Sequence, residues 1–158
     1  MLKPAILYKE EIEKAFAENL YTDDFFLYSG YPTCNELPKI DAVDDIYQYA
    51  VLDTNENLIG WFAYRVELGT STVYNFGMYS FKRGNPYFGK VIFEKMEELV
   101  RDFRRVEWRM IGGNPVQKSY DRFCEKHGGY RSHLHKTTKD LHGNYHDEYI
   151  YEIVKETE

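Results

Sequence analysis

The sequence predicts a mixed α/β fold, with a central, mostly antiparallel sheet flanked by helices, in a single domain spanning residues 1–158. Three observations lead to that fold. Apolar residues change period along the chain, from short strand-like runs to helical spacing and back again. Two Asn-Pro dipeptides, Asn85-Pro86 and Asn114-Pro115, each mark a helix start between apolar strands. No repeat, low-complexity tract or Pro/Gly/Ser-rich linker divides the chain, and 158 residues suit one core.

The elements follow in order. Ala5–Tyr8 is a short apolar stretch that reads as a first strand. Glu10–Leu20 places Ile12, Ala15, Phe16 and Leu20 at helical spacing. Tyr21–Ile40 reads as irregular, broken by Gly30, Pro32 and Pro38. Tyr47–Asp53 and Leu58–Glu67 flank the polar Thr54-Asn-Glu-Asn57 and form a hairpin. Thr70–Phe81, rich in Val, Tyr and Phe, continues the sheet. Asn85 then caps a helix whose Val91, Phe93, Met96, Leu99, Val100 and Phe103 recur on one side. Arg105–Ile111 is a strand, Asn114-Pro115 opens a helix to about Lys126, and Gly128-Gly129 stops it. Tyr130–Lys139 and Glu148–Val154 close the chain as a hairpin around Gly143-Asn144.

With 43% hydrophobic and 17% aromatic residues, the composition is that of an ordered globular protein. The longest apolar run, Leu58–Tyr64, is too short to span a bilayer. Met1-Leu-Lys-Pro runs almost at once into Lys9-Glu-Glu, which is no secretory core. Cys34 and Cys124 stand far apart without a C-x-x-C partner; free thiols are the simplest reading, with one disulfide as the alternative, and a cytoplasmic protein is expected.

Net charge is −6, but it is unevenly spread. Residues 1–60 carry twelve acidic and four basic side chains, whereas residues 77–136 carry seven acidic and thirteen basic. The basic segment suits an anionic cofactor and the acidic one a cationic substrate; an uneven solvated surface explains the same numbers. The acidic total and the lack of a basic helix free of acids argue against nucleic acid.

Met78-Tyr-Ser-Phe-Lys-Arg-Gly-Asn-Pro-Tyr-Phe-Gly-Lys90 runs from a strand through a glycine-containing loop into a helix start. That layout offers backbone amides and a helix dipole to an anion, with Lys82, Arg83 and Lys90 adding charge. Gly84 and Gly89 allow close backbone approach.

Here the chain resembles the GNAT superfamily of N-acetyltransferases, over roughly residues 47–154. The family's acetyl-CoA loop, Arg/Gln-x-x-Gly-x-Gly/Ala, is matched by Arg83-Gly84-Asn85-Pro86-Tyr87-Phe88-Gly89, one residue longer and with Pro86 where a glycine is usual. Asn114 matches the asparagine after the fifth strand, and Phe123-Cys-Glu-Lys-His-Gly-Gly-Tyr130 resembles the family's glycine-rich helix ending. Counting back from that ending puts Cys124 at the general-acid position, while counting forward from Asn114 lands near Tyr120. The two are one helical turn apart. Tyr120 is preferred because a phenol protonates a departing thiolate, and a core aromatic role stands beside it.

The resemblance implies acetyl transfer from acetyl-CoA to an amine, with residues 47–154 as the cofactor core and 1–46 as the acceptor side. It assigns the cofactor to Gly77, Met78, Ser80, Lys82, Arg83, Gly84, Asn85, Gly89, Lys90 and Asn114. A strand amide among Phe76, Gly77 and Met78 would meet the developing oxyanion. Glu67 is the first candidate base. Asp23, Asp24, Tyr28, Tyr74 and Asn75 would face the acceptor, together with Asp41, Asp44 and Asp45. An acidic mouth favours a polyamine, an aminoglycoside, or a lysine or N-terminal amine. A non-catalytic acyl-CoA- or ligand-binding protein is the alternative, and a homodimer is compatible with the family. His133-x-His135 shares a strand face, with His142, His146 and Asp147 across the hairpin. Exposed hairpin histidines account for that pattern without a metal, and none is assigned.

Overall fold

A computed structural model describes residues 1–20, 22–29, 38–42 and 44–156. Cys34, Gly30 and Pro32 lie outside the described residues. The strands are β1 (Leu2–Pro4), β2 (Ile46–Leu52), β3 (Leu58–Glu67), β4 (Thr72–Ser80), β5 (Arg105–Ile111), β6 (Tyr130–Lys139) and β7 (Tyr145–Val154). The helices are α1 (Lys9–Asn19), α2 (Asp23–Ser29), α3 (Pro86–Asp102) and α4 (Gln117–Lys126). The seven strands lie in the order β1-β2-β3-β4-β5-β7-β6. Every neighbouring pair is antiparallel except β4 and β5, which are parallel and are joined by the crossover through α3.

β3 is central and buried on both faces, which explains its nearly unbroken apolar run. Phe62, Tyr64 and Val66 join a core roofed by α3 and α4. Trp61 and Ala63 join a second core with Ile12 and Phe16 of α1 and Phe25 of α2. On α3 the buried residues are Val91, Ile92, Met96, Leu99 and Val100, one stripe of an amphipathic helix. Asn85 caps it as expected, its Oδ1 accepting the Tyr87 N–H at 2.9 Å, with Pro86 in the first turn.

Three expectations are corrected. Ala5–Tyr8 is a 3₁₀ turn, and the first strand is the preceding Leu2–Pro4, paired with β2. Four apolar residues carry too little periodicity to separate the two forms. The stretch from Tyr21 is not irregular throughout, since α2 occupies Asp23–Ser29. Its start is marked by Thr22, whose Oγ1 accepts the Phe25 N–H at 3.1 Å, and by Asp23 and Asp24 in the first turn. The helix expected from Asn114-Pro115 begins at Gln117, because Asn114 first folds a turn by accepting the Val116 N–H. No helix among the described residues is long and apolar enough to cross a membrane.

β3 makes two close contacts through glycines. A Cβ at Gly60 would lie 2.3 Å from Phe88 Cε2 and 2.7 Å from the Tyr79 carbonyl oxygen. A Cβ at Gly77 of β4 would lie 2.3 Å from the Trp61 ring. Gly60→Ala is expected to destabilise the fold by about 1–3 kcal/mol, the usual cost of overpacking, with the ring of Phe88 forced off β3. Urea unfolding of the two proteins checks this; an unchanged midpoint refutes it.

Candidate active site

The site arises where β4 and β5 part. Their pairing is confined to Thr72↔Arg105 and Val73↔Val106. Beyond that point β4 stays with β3 up to Gly60↔Ser80, and β5 stays with β7 up to Ile111↔Glu148. The parting coincides with a bulge. Tyr64 of β3 faces both Asn75 and Phe76, and Asn75 takes a left-handed conformation with φ 52°. A bulge bends its own strand, and asparagine tolerates that conformation.

A cavity of about 400 Å³ opens over the parted ends. Met78 and Ser80 of β4, the Arg83–Asn85 loop, Phe88, Gly89, Ile92 and Phe93 of α3, Asn114, Val116, Tyr120 and Tyr28 line it. A smaller cavity of about 20 Å³ adjoins it and shares Tyr28, Met78, Asn114 and Tyr120. Tyr120 is buried on α4, and its hydroxyl donates to Met78 Sδ at 3.4 Å across the gap between strands. Burial raises its phenol far above the ordinary tyrosine value. Thioether sulfur is a weak acceptor, so this O–H remains available to a better one. Cys124 points elsewhere, its Sγ lying 3.6 Å from the Tyr130 carbonyl oxygen, and burial raises its thiol.

Asn114 is buried and holds two elements together. Its Nδ2 donates to the Leu27 carbonyl of α2 at 3.3 Å, and its Oδ1 accepts the Val116 N–H at 3.1 Å. Gly84 takes φ 67° and lets the loop turn into α3. Three successive positions of that turn offer no free amide: Asn85 N–H reaches Lys82 O at 3.3 Å, Pro86 has no N–H, and Tyr87 N–H is held by Asn85. Arg83 pairs with Asp24 of α2 and lies over the Tyr28 ring at 4.8 Å. Burial works against its charge, but the Asp24 hydrogen bond and then Tyr79 hold its guanidinium above the ordinary value.

Of the residues named from sequence, Met78, Ser80, Arg83, Gly84, Asn85, Gly89, Asn114, Tyr120 and Tyr28 therefore meet at one cavity. Asp24 reaches its edge through Arg83. Lys82 and Lys90 are exposed outside the lining, Lys90 lying 3.9 Å from Glu94. Gly77 and Asn75 border a different cavity, of about 410 Å³, with Trp61, Gln48, Asp41 and Arg65. Tyr74 is half-buried and pairs with Arg65. Glu67 pairs with Thr72, six residues and so about 20 Å along β4 from Met78, and its carboxylate accepts the Gly69 N–H at 2.9 Å. Asp23 pairs with His142 at 2.8 Å, Asp41 with Lys9 at 3.2 Å and Asp45 with Arg65 at 3.0 Å. The apolar walls Phe88, Ile92 and Val116 were not singled out as cavity residues from sequence, where α3 periodicity reads only as core.

This arrangement of strands and helices is similar to that of solved acetyltransferases. The chain has the GNAT acetyltransferase fold. It is similar to spermidine/spermine N-acetyltransferase SpeG from Vibrio cholerae, at 15% identity and a TM-score of 0.56, over 70% of this chain and 66% of that one. It is similar to the Salmonella typhimurium acetyltransferase that modifies the N-terminal serine of ribosomal protein L7/L12, at 16% identity and a TM-score of 0.52, over 71% and 65%. A chimera of Vibrio cholerae SpeG and hSSAT aligns over 98% of this chain and 95% of its own, at 15% identity and a TM-score of 0.61. In the first two comparisons the alignment thus spans just under two thirds of the solved chain. No protein-family model matches the sequence, and no curated protein matches it. At these identities the likeness to GNAT structures is one of fold.

Asn85→Ala removes the cap of α3 and is expected to cost about 1 kcal/mol of stability, read as a lowered unfolding midpoint at unchanged denaturant slope.

Proposed function

We propose that the chain is an acetyl-CoA-dependent N-acetyltransferase, with the cofactor's acyl arm between β4 and β5. The observation that supports this most is Tyr120, a buried phenol reaching across the strand gap at the inner wall of the cavity. The cavity fits the cosubstrate. Its apolar walls, Phe88, Ile92, Phe93 and Val116, suit a flexible arm, and Arg83, Gly84 and Asn85 at its rim suit a diphosphate. Bound acetyl-CoA supplies an activated thioester, whose C–S bond is exchanged for a C–N bond to the amine.

Tyr120 then donates its proton to the leaving sulfur. Its raised pKa keeps the phenol protonated throughout the neutral range, as an acid requires. Backbone amides in the Phe76–Met78 stretch are the candidate donors to the charge developing on the thioester oxygen. The amine loses its proton to solvent or to a base other than Glu67, which lies away from the cavity. The small adjoining cavity, about 20 Å³, suits one water there. Asn114 positions the β5–α4 turn from which Tyr120 follows.

The acceptor is proposed as an amine. The solved relatives named above act on spermidine, spermine or a protein N-terminus. The expected acidic mouth gives limited support for a polycation, since Asp23, Asp24, Asp41 and Asp45 each have a cationic or imidazole partner. A cytoplasmic location and an acetyl-CoA core at residues 47–154 belong to the same reading. One observation favours a second reading, an acyl-CoA-binding protein without turnover: the engaged amides and the Pro86 of the diphosphate loop.

Acetyl-CoA is expected to raise the melting temperature, and an amine panel to release free thiol. Tyr120→Phe should lower kcat about a hundredfold with little change in the coenzyme's Kd. Because the phenol is raised, the wild-type rate should not fall as pH rises toward about 10, where an ordinary tyrosine ionises. Stabilisation without thiol release for any amine favours the second reading; no stabilisation sinks both.

A further inference from the structure

The C-terminal hairpin carries a cluster that the proposed reaction does not use. In β6, Leu134 pairs with Glu148 and Thr138 with His146, so His135, Lys136 and Thr137 all stand opposite Asp147. This bulge puts Lys136 in a left-handed conformation, φ 50°, and aims its N–H at Asp147 Oδ1, 2.9 Å away. His133 and His135 converge on the same carboxylate. His133 Nε2 lies 2.8 Å from Asp147 Oδ2, and His135 Nδ1 lies 3.0 Å from Asp147 Oδ1.

The other histidines paired with a carboxylate differ. His142 meets Asp23, His146 meets Asp140 and His127 meets Glu97, one imidazole to each carboxylate. At Asp147 two imidazoles share one carboxylate, each on its own oxygen. Their ligand atoms and the carboxylate oxygen all lie within 4.8 Å of one another, the one such group among the described residues. Metal bonds of about 2.0–2.2 Å in a tetrahedral site set ligands about 3.4 Å apart, which small rotations of exposed rings would reach.

We propose that His133, His135 and Asp147 bind a divalent first-row transition metal ion, with zinc the expected occupant. Two imidazole nitrogens and a carboxylate oxygen suit zinc, nickel or copper rather than magnesium or calcium, which take oxygen ligands. The support around the ligands is also present. The Lys136 N–H fixes the carboxylate, and Tyr149 stacks on the His133 ring at 4.9 Å between centroids. The three ligands leave at least one coordination position to water or to a partner's side chain. The ion does not enter the candidate active site, since none of its ligands lines that cavity. It would clip the two strands of the hairpin at their bulge. The backbone of Asp147 extends the clip inward, because its carbonyl accepts the Gly112 N–H at 2.8 Å, two residues before Asn114.

Calorimetric titration of the chelator-treated full chain with zinc chloride tests this. The expected result is one ion per chain with a Kd on the order of micromolar, weakened at least about tenfold by His135→Ala and by Asp147→Asn. His142→Ala and His146→Ala should leave it unchanged. His135 is exposed, so its variant tests the site without disturbing the core. Zinc should also raise the melting temperature of the wild type and not of His135→Ala. Binding of equal strength in His135→Ala, or no saturable binding up to about a hundred times the expected Kd, overturns the proposal. Neither result depends on acetyl transfer.

Discussion

The parallel contact of β4 with β5 lasts for two residue pairs and then ends, and the candidate site depends on that ending. A sheet normally extends such a pairing, because unpaired backbone groups are costly when buried. Here each strand keeps its other neighbour, and the bulge at Asn75 turns β4 aside. Side chains fill the gap instead of hydrogen bonds, with Tyr120 and Met78 meeting across it. A straight β4 would zip the gap shut. The bulge is thus a site feature written into the backbone.

The loop that enters α3 is electrostatically committed before any ligand arrives. Asn85 holds one amide of the first turn, the Lys82 carbonyl holds another, and proline removes a third. Arg83 is drawn down to Asp24 and Tyr28. A half-exposed ion pair of this kind is worth only about 0.2–1 kcal/mol. A diphosphate forms stronger, charge-assisted hydrogen bonds, so exchange of Asp24 for phosphate is energetically open. The diphosphate binding proposed for this loop would then rest on guanidinium charge and on a few amides more than on a full cradle.

Much of the sheet and the two long helices was legible in the sequence because their signals are local. Asn85-Pro86 announces α3, and Arg105–Ile111 is bounded by polar residues and glycine, so its limits were read as they stand. Ala5–Tyr8 was misread because a four-residue apolar run has no period. α2 was missed because Gly30 and Pro32 dominate its neighbourhood, although Thr22-Asp23-Asp24 is a start signal. At the site, Gly84, Asn85 and Asn114 could be named from motif spacing, whereas spacing left Tyr120 and Cys124 both open and phenol chemistry favoured Tyr120. The distance of Glu67 from the cavity could not, since it depends on which end of β3 faces which end of β4. Nor could the partners of Arg83 and Asp23, fifty or more residues away in sequence, be read from pattern.

α2 joins these regions. Seven residues are too few to hold a helix in water without tertiary support. Its support comes from buried Phe25 and Phe26 and from three polar ties: Asp24 to Arg83, Leu27 to Asn114, and Asp23 to His142. Those ties lead to the Arg83–Asn85 loop, to the turn before Tyr120, and to the tip of the β6–β7 hairpin. A ligand that takes Arg83 away from Asp24 removes one of the three. Its binding must therefore change the stability of α2, and with it the wall that Tyr28 gives the cavity. The Arg83 loop, the turn before Tyr120 and the hairpin tip are thus joined through this short helix, so a change at one bears on the others.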